Sequence, residues 1–386
     1  MQLIEKTEDL NLLCQKLSNE EFICVDLEFM REHTYFAKLC LIQIASLNDA
    51  AIIDPLSADI NLDAFISLMQ NPSVVKVFHS GRQDIEIIYN ISGTIPHPLF
   101  DTQIAAQVAG FGEAVSYENL VIALLHQTID KSSRLSDWSK RPLTQNQLNY
   151  AISDVTHLVH IYQHLKKWLE DKERTSWIED ELKIICDEKT YKINPDDMWQ
   201  KIRHRSHNAR FLTILQALAA WREKRAIEKN VPRHSFIKDD LLLNICAECP
   251  QTKEELASIR GMRSDIACGK LGTEILDVLQ NVKQVDKKDY AKVCENKEFS
   301  VSSPALFNLL KMLLQIVAQE QKVTPRIIAT ENDLKAFVSG DIETPQFMNG
   351  WRFEIFGKHA LKISQGQTAI RFTPENNRIE FFSPSE

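Results

Sequence analysis

The sequence lacks any apolar run that approaches the ~18 residues of a membrane-spanning helix. Residues 1–10 have neither the basic start nor the apolar stretch of a secretion signal. Basic residues are too few to balance the acidic ones, so the formal net charge of the 386-residue chain is −8. We therefore expect a cytoplasmic protein without a membrane partner. Its length predicts two or three domains.

A cysteine pattern typical of a zinc site is also missing. Of the eight cysteines, only Cys246 and Cys249 have the Cys-x-x-Cys spacing found in zinc sites, and no second pair of ligands matches them. Cys24 and Cys40 lie in apolar runs that predict strands, where they would serve as small buried side chains. We therefore expect reduced thiols and no zinc.

The sequence does contain four acids and one tyrosine at recognisable spacings. Asp26 and Glu28 lie two residues apart in a β-branched and aromatic run that predicts a strand, so both point to one face. Asp84 follows an apolar run that predicts a buried strand. Tyr150 and Asp154 lie four residues apart on a predicted helix and share one helix face.

Four carboxylates that meet in one cleft cannot all stay ionised there without cations. Such a group predicts a site for two divalent metal ions. Two metals about 3.5–4 Å apart are a common device for cutting a phosphodiester by in-line attack of water. The acidic set therefore predicts hydrolysis of nucleic acid.

With their flanking residues, these acids resemble the DEDD superfamily of 3′–5′ exonucleases over residues 1–170, in the subgroup whose third motif carries tyrosine. Over most of its length, the chain is similar to the bacterial ribonuclease D family. Leu27 departs from that family, whose members often carry threonine there, although other branches use apolar residues. The most specific segments are Asp26-Leu27-Glu28-Phe29 with Tyr35 and Leu41-Ile42-Gln43, Ile53-Asp54-Pro55-Leu56, His79 to Asp84, Asp101 to Ile104, and Leu135 to Thr144.

The resemblance implies an α/β exonuclease domain with a ribonuclease H-like mixed sheet and flanking helices. Tyr150 would orient the attacking water, because a phenol with a pKa of about 10 keeps its proton at neutral pH. The ligands of two Mg²⁺ or Mn²⁺ ions, hard cations suited to carboxylate oxygens, would be Asp26, Glu28, Asp84 and Asp154.

The resemblance also implies contacts with the 3′-terminal nucleotide through hydrogen bonds, stacking and charge. Two alternatives stay open, since Trp138 could belong to the core and Arg141 could pair with a surface acid. The residues predicted to make these contacts are Gln43, His79, Trp138 and Arg141.

Positive charge is concentrated in one segment of the acidic chain. Residues 171–197 carry nine acids and five bases, whereas residues 199–233 carry nine bases and two acids. This asymmetry favours a phosphate-facing patch that includes Arg222 and Arg225, with a solvated helix face as the alternative. The same segment opens a stretch that resembles the HRDC domain, a small helical nucleic-acid-binding module.

A repeat of short motifs predicts a second helical domain of this kind. Val231-Pro232-Arg233 recurs as Val323-Thr324-Pro325-Arg326, and the segment 261–266 recurs as 350–355, although chance similarity between two helical bundles is the alternative. The alternating residues after 369 predict a hairpin, or an ordered tail that pairs elsewhere. The predicted order is a 3′–5′ exonuclease domain over 1–170, a charged helical connector over 171–205, an HRDC domain over 206–286, a second HRDC-like domain over 296–368 and a β-like tail over 369–386.

The sequence thus predicts a monomeric, metal-dependent 3′–5′ exoribonuclease that releases nucleoside 5′-monophosphates and trims the 3′ ends of tRNA precursors and other structured RNAs. Its helical domains would collect the RNA and present a single-stranded end to the acidic site. A DNA exonuclease is the first alternative, because the metal chemistry does not depend on the sugar. The other is a catalytically silent RNA-binding protein, which would have no need of the complete acidic set.

Overall fold

The computed structural model describes residues 2–130, 133–291, 302–375 and 378–382. They fall into two compact units, and each unit is built from separate stretches of the chain. The first comprises residues 1–28, 40–190 and 297–386, and the second comprises residues 29–39 and 191–296. The predicted second helical domain therefore groups with the exonuclease region, although residues 296–301 lie outside the described part.

The first unit is organised around a sheet of six strands. The strands are β1 (Gln2–Ile4), β2 (Phe22–Met30), β3 (Lys38–Ala45), β4 (Ala50–Ile53), β5 (Val75–Phe78) and β6 (Leu99–Asp101). Their order across the sheet is β1-β4-β3-β2-β5-β6. β3 and β4 are antiparallel, whereas β1 and β4, β2 and β5, and β5 and β6 are parallel pairs. The predicted mixed sheet is confirmed, with β1 as an additional strand that is too short to show a pattern.

Helices flank this sheet, and the longest of them covers the face on which the acids lie. It begins at a capping box in which Thr144 and Gln147 satisfy each other's backbone N–H groups. The helices are α1 (Thr7–Leu17), α2 (Asp63–Met69), α3 (Arg82–Ser92), α4 (Thr102–Val108), α5 (Tyr117–Leu120), α6 (Gln145–Asp171) and α7 (Thr175–Ile185).

A compact apolar cluster joins α6 to the sheet. Phe22 and Cys24 of β2 pack with Val155, Leu158 and Tyr162, which recur at helical spacing along α6. These side chains are buried. The cluster fixes α6 over one face of β2, so residues further along both elements must meet.

The second unit contains a helical bundle. Its helices are α8 (Ala209–Lys229), α9 (Asp239–Glu248), α10 (Lys253–Ser258), α11 (Ser264–Cys268) and α12 (Lys270–Val282). The segment 29–39 packs in the same unit. The side-chain oxygen of Asn230 accepts hydrogen bonds from the backbone N–H groups of Tyr35 (3.1 Å) and Phe36 (3.0 Å), and the Tyr35 hydroxyl donates to the buried Glu223.

The first unit also includes a carboxy-terminal group of helices. The Trp351 ring stacks on the Trp177 ring of α7 at 4.0 Å, and the Arg352 guanidinium donates to Glu181 in a largely buried ion pair. These contacts tie the group to α7. The helices are α13 (Pro304–Gln321), α14 (Pro325–Ile328), α15 (Glu331–Val338), α16 (Gly350–Arg352) and α17 (Lys358–Ser364).

The chain continues into the predicted hairpin. β7 (Ala369–Thr373) pairs in antiparallel fashion with β8 (Arg378–Phe382), and residues 376–377 and 383–386 of the predicted tail lie outside the described part. Among the described helices, none combines the length and the apolar character required to cross a bilayer.

Candidate active site

Strand β2 places the first two acids of the predicted site. Side chains two residues apart on a strand share a face, so Asp26 and Glu28 point to the same side as Phe22 and Cys24. Phe22 and Cys24 pack against α6. Asp26 and Glu28 are therefore half-buried on the side of β2 that α6 covers.

Helix α6 supplies the third acid. Asp154 lies one turn after Tyr150, and both side chains are half-buried. The carboxylate oxygens of Asp26, Glu28 and Asp154 can all lie within 4.8 Å of one another. The structure thus brings Asp154 together with two acids of β2 that are far from it in the sequence.

The fourth acid approaches from the adjacent strand. α3 begins shortly after β5, and Asp84 lies in its first turn with only 7% of its surface exposed. The charge of Asp84 helps to raise the pKa of Glu28, and the charge of Asp26 adds to burial in raising the pKa of Asp84. Asp84 therefore lies within electrostatic reach of the other acids.

The turn that presents Asp84 is fixed by a residue that the sequence did not single out for the site. The Asp101 carboxylate accepts backbone N–H groups of Ser80 (3.1 Å) and Gly81 (2.8 Å), and it also caps α4. A Cβ at Gly81 would lie 2.4 Å from the Cβ of Phe78, so glycine is required there. Asp101 belongs to a segment that carries the family resemblance, but no spacing rule indicated this role.

Burial dominates the electrostatics of the acids. It raises the pKa of Asp26 to about 7. Burial and the charge of Asp26 raise the pKa of Asp154 to about 8. Burial and the charges of the neighbouring acids raise the pKa of Glu28 to about 9. Neighbouring carboxylates whose pKa values are raised to this extent are typical of a functional site.

The donor set fits a divalent cation. Carboxylate oxygens are the ligands that Mg²⁺ and Mn²⁺ prefer, and a cation placed among them would offset their mutual repulsion. Among the described residues, the positive charge that opposes the raised pKa of Glu28 is that of Arg134. The sequence did not single out Arg134, whose side chain is exposed.

Tyr150 and Trp138 form part of the wall of the site. The Tyr150 hydroxyl hydrogen-bonds the Asp154 carboxylate, and burial together with the nearby carboxylates raises the pKa of the phenol. The ring of the buried Trp138 lies 6.0 Å from the Tyr150 ring. Its indole N–H has no hydrogen-bond partner among the described residues. Trp138 is therefore a core residue that also borders the site.

Gln43 occupies an unusual position for an amide. It is fully buried on β3, and neither its side-chain nitrogen nor its side-chain oxygen has a partner within the described part of the chain. By strand alternation it shares a face with Ala45, which packs in the same cluster as Cys24. Gln43 therefore points to the side of the sheet that carries Asp26.

His79 and Tyr117 lie close to the acidic site. The Nδ1 atom of His79 lies 3.0 Å from the Thr102 hydroxyl oxygen, and burial lowers the pKa of the imidazole. Its ring lies 5.4 Å from that of Tyr117, whose hydroxyl donates to the backbone carbonyl of Asp154 at 2.5 Å. Tyr117 thereby supports the turn that carries Asp154. It lies on a four-residue helix that is too short to show a periodic pattern, so no sequence signal indicated its role.

Arg141 is held by the protein itself. Its guanidinium donates to both Asp54 oxygens, at 2.5 and 2.6 Å, and to the backbone carbonyls of Trp138, Lys140 and Cys40, each at 2.8 Å. All five N–H donors are thus used within the chain. The predicted contact with a nucleotide is not favoured by this geometry, which agrees with the alternative of an ion pair.

In the second unit, the positions of Arg222 and Arg225 do not support the predicted phosphate contacts. Arg222 is 2% exposed and pairs with Asp239 at 2.8 Å. Arg225 pairs with Glu274 (3.0 Å) and Glu228 (3.1 Å), and 20% of its side chain is exposed. Both point towards acids of the bundle, so a contact with RNA would require these ion pairs to open.

Two protein-family models match the chain. A model described as 3′–5′ exonuclease matches residues 1–170, which include all four acids and Tyr150. A model described as HRDC domain matches residues 211–279 in the second unit. Exonucleases of the DEDD type use divalent metal ions, which agrees with the clustered carboxylates.

Complete relatives and a solved structure extend the match to nearly the whole chain. Ribonuclease D of Bartonella henselae is 41% identical over 380 residues, covering 98% of this chain and 93% of the relative. Ribonuclease D of Granulibacter bethesdensis is 40% identical over 369 residues, covering 95% and 93%. The crystal structure of Escherichia coli RNase D, described as an exoribonuclease involved in structured RNA processing, superposes with a TM-score of 0.79 at 26% identity, covering 94% of this chain and 98% of that one. This chain belongs to the ribonuclease D family of 3′–5′ exoribonucleases.

Proposed function

We propose that this chain removes nucleotides from the 3′ ends of RNA through the acidic site and releases them as nucleoside 5′-monophosphates. The observation that carries the proposal is the convergence of Asp26, Glu28 and Asp154, whose oxygens can lie within 4.8 Å of one another. Asp84 stands within electrostatic reach of this group. Family membership indicates RNA as the substrate class.

We assign two divalent metal ions, Mg²⁺ or Mn²⁺, to Asp26, Glu28, Asp84 and Asp154. When bound, such ions supply an activated water and stabilise the leaving 3′ oxygen of a phosphodiester. The contribution of the protein is to hold four carboxylates on one strand and two helices. Because apolar packing fixes α6 against β2, the oxygens of Asp26, Glu28 and Asp154 are positioned before any substrate arrives.

Tyr150 is proposed to orient the attacking water through its hydroxyl group. The raised pKa of the phenol keeps its proton in place at neutral pH, so Tyr150 does not act as a base. The phenol donates this proton to Asp154, and its oxygen is left to accept a hydrogen bond from the water. Its bond to Asp154 directs the hydroxyl towards the carboxylate cluster. Tyr117 supports this arrangement from behind, through the backbone of Asp154.

Gln43, His79 and Trp138 are proposed to contact the terminal nucleotide. The Gln43 amide and the Trp138 indole N–H are buried groups without partners among the described residues, and such groups are costly unless a ligand satisfies them. His79 offers an imidazole that is neutral near pH 7, because burial lowers its pKa. For Arg141 we propose a positioning role, since it ties the segment around Trp138 to Asp54.

We further propose that residues 302–364 form a second HRDC-like module. α8 and α13 end in the same way: the next residue, Asn230 or Lys322, is left-handed, and the valine after it donates to an alanine carbonyl at 3.0 Å. These matched details support a duplication and the predicted count of two helical domains.

The physiological substrates are proposed to be structured RNAs with 3′ extensions, such as tRNA precursors. A single-stranded end would enter the acidic site while a helical module holds the structured part. We also propose that the protein acts as a monomer in the cytoplasm.

The test uses the full-length protein with a 5′-labelled RNA hairpin that ends in a single-stranded 3′ extension. In Mg²⁺ we expect stepwise shortening from the 3′ end and 5′-mononucleotide products, and in EDTA no reaction. A DNA strand of the same sequence should be a poorer substrate. Equal rates on DNA, internal cleavage, or full activity in EDTA would contradict the proposal.

The site assignment is tested with Asp26→Asn and Asp154→Asn. Each should lower kcat at least about a hundredfold, because a charged metal ligand is lost while the side-chain shape is kept. RNA binding measured in EDTA should be retained. Asp9→Asn, at an exposed position of α1, is the matched control and should have no effect. Near-normal turnover in either site variant would refute the assignment.

A further inference from the structure

One stretch of the second unit carries exposed positive charges that pair with no acid among the described residues. Residues 201–210, here called the basic strip, link a short 3-10 helix to the amino terminus of α8. Lys201, Arg203, Arg205 and Arg210 are exposed, and none forms an ion pair or a side-chain hydrogen bond within the described part of the chain. Unpaired cations at this density are unusual on a chain with a net charge of −8.

The strip differs in its lack of ion pairs from the later part of the basic segment, residues 211–233. Further along, Arg222, Arg225 and Arg233 each pair with an acid of the same bundle. From residue 198 to residue 222 the sequence contains no acid at all. The nearest acids before the strip are Asp196 and Asp197, and Asp197 accepts a hydrogen bond from the Asn194 side chain.

The backbone of the strip is held in place by buried neighbours, although its cationic side chains are exposed. Trp199, just before the strip, and Ile202, within it, are both 4% exposed and belong to the core of the bundle. Arg203 and Arg205 therefore project from a fixed segment. The His204 ring stacks on Trp199 at 6.2 Å and lies 6.4 Å from the Phe211 ring, which adds an aromatic surface between the cations.

The amino terminus of α8 adds to the same positive region. This 21-residue helix begins beside Arg210, and Asn208 caps it through a 3.2 Å hydrogen bond to the Phe211 N–H. The partial positive charge of the helix terminus has the same sign as the four side chains. Cations at alternate positions with a half-buried aromatic ring between them match the repeat of phosphate and base along a nucleic-acid strand.

We propose that the basic strip, and not the arginines within α8, is the surface through which the second unit binds the phosphate backbone of RNA. This inference rests on the proposed function, because it takes RNA as the substrate. It assigns the contact to Lys201, Arg203, Arg205 and Arg210, with His204 as a stacking surface. Arg222 and Arg225 become structural residues whose ion pairs hold the bundle together.

The test compares two full-length variants that carry the same change in charge. One carries Lys201→Glu, Arg203→Glu and Arg205→Glu. The control carries Arg260→Glu, Lys283→Glu and Lys287→Glu, at exposed positions of the same unit. Binding of a fluorescent RNA hairpin with a 3′ extension is measured in EDTA between 50 and 300 mM salt, and thermal unfolding verifies that both variants are folded.

For the strip variant, we expect the slope of log K against log salt to flatten by about 2 to 3, since each phosphate contact contributes about 0.7 to 0.9. Bound RNA should slow amide hydrogen exchange in residues 203–208 of the wild type. The KM for the hairpin should rise, while kcat on a dinucleotide, which carries a single phosphodiester, should not change. The control should keep the slope of the wild type.

Equal flattening in both variants would mean that only net charge matters, and an unchanged slope in the strip variant would overturn the proposal. An Arg222→Met variant that folds and loses the same slope would also overturn it. These outcomes are separate from a failure of the proposed function, which would appear as wild-type protein that binds the hairpin but does not shorten it in Mg²⁺.

Discussion

The acidic site should destabilise the exonuclease unit when no metal is bound, and Asp26→Asn should relieve part of this cost. Asp26 has carboxylate oxygens of Glu28 and Asp154 within 4.8 Å. Two charges at that distance repel by about 3–4 kcal/mol at an effective dielectric constant of 20. Protonation of the carboxylates relieves part of this repulsion. The raised pKa of Asp26 is therefore the better measure of the free energy that the charged site costs the folded protein.

Burial raises the pKa of Asp26 to about 7, whereas an unfolded aspartate titrates near 4. The unfolded state therefore releases its proton first, and the native state loses stability as the pH rises from about 4 to 7. Three pH units correspond to about 4 kcal/mol, which solvent screening of this half-buried group reduces to about 2 kcal/mol. Asparagine has no such charge, so Asp26→Asn should stabilise the metal-free protein by that amount.

The assay is thermal unfolding at pH 7.5, in EDTA and in Mg²⁺. In EDTA the variant should melt about 4–8 °C above the wild type. Mg²⁺ at a hundred times its Kd should add about 2.7 kcal/mol to the wild type and far less to the variant, which reverses their order. The difference in EDTA should shrink towards pH 4, and Asp9→Asn should change stability by less than about 0.5 kcal/mol. A variant less stable than the wild type in EDTA at pH 7.5 would refute this reasoning.

Three further substitutions test supporting contacts. Tyr117→Phe removes the hydroxyl that donates to the Asp154 carbonyl, so we expect a loss of about 1 kcal/mol in urea unfolding and a larger proportional fall in kcat than in RNA affinity. Lys76→Met removes a buried ammonium group that donates to three backbone carbonyls, and it should cost about 3 kcal/mol or more, whereas an exposed lysine such as Lys167 should tolerate the same change. Tyr35→Phe leaves the buried Glu223 without its hydroxyl donor, so amide exchange in residues 31–37 should accelerate; unchanged exchange would contradict the importance of that contact.

The acidic site could be predicted because local backbone geometry determines where its residues point. Alternation along β2 puts Asp26 and Glu28 on one face, and one helical turn separates Tyr150 from Asp154, whatever the rest of the fold does. The mixed sheet was implied by the family resemblance, because apolar runs of strand length indicate strands but not their direction or order. Tyr117 could not be found in this way, because its role depends on a hydrogen bond to the backbone of a distant helix.

The sum of charges along the sequence was a poorer guide to which cations are exposed than local geometry was to the acidic site. A sum over residues 199–233 treats all cations alike, yet the structure pairs Arg222 and Arg225 with acids that lie up to 49 positions away. Arg203 and Arg205 have no such partner in the described part of the chain. Arg141 gives the same lesson, since its partner Asp54 is 87 positions earlier in the chain. Pairing is a tertiary property, so a local charge sum can indicate a binding segment without identifying the residues that bind.

The interleaving of the two compact units has a consequence for synthesis. Arg352 and Glu181, which pair within the first unit, are 171 positions apart, and at 5–20 residues per second a ribosome needs roughly 10–35 s to make that stretch. Until then the nascent chain holds Trp177 without the indole on which it stacks. The segment 29–39 likewise waits for α8. The nuclease can therefore complete its folding only late in translation, when most of its own message has already been read.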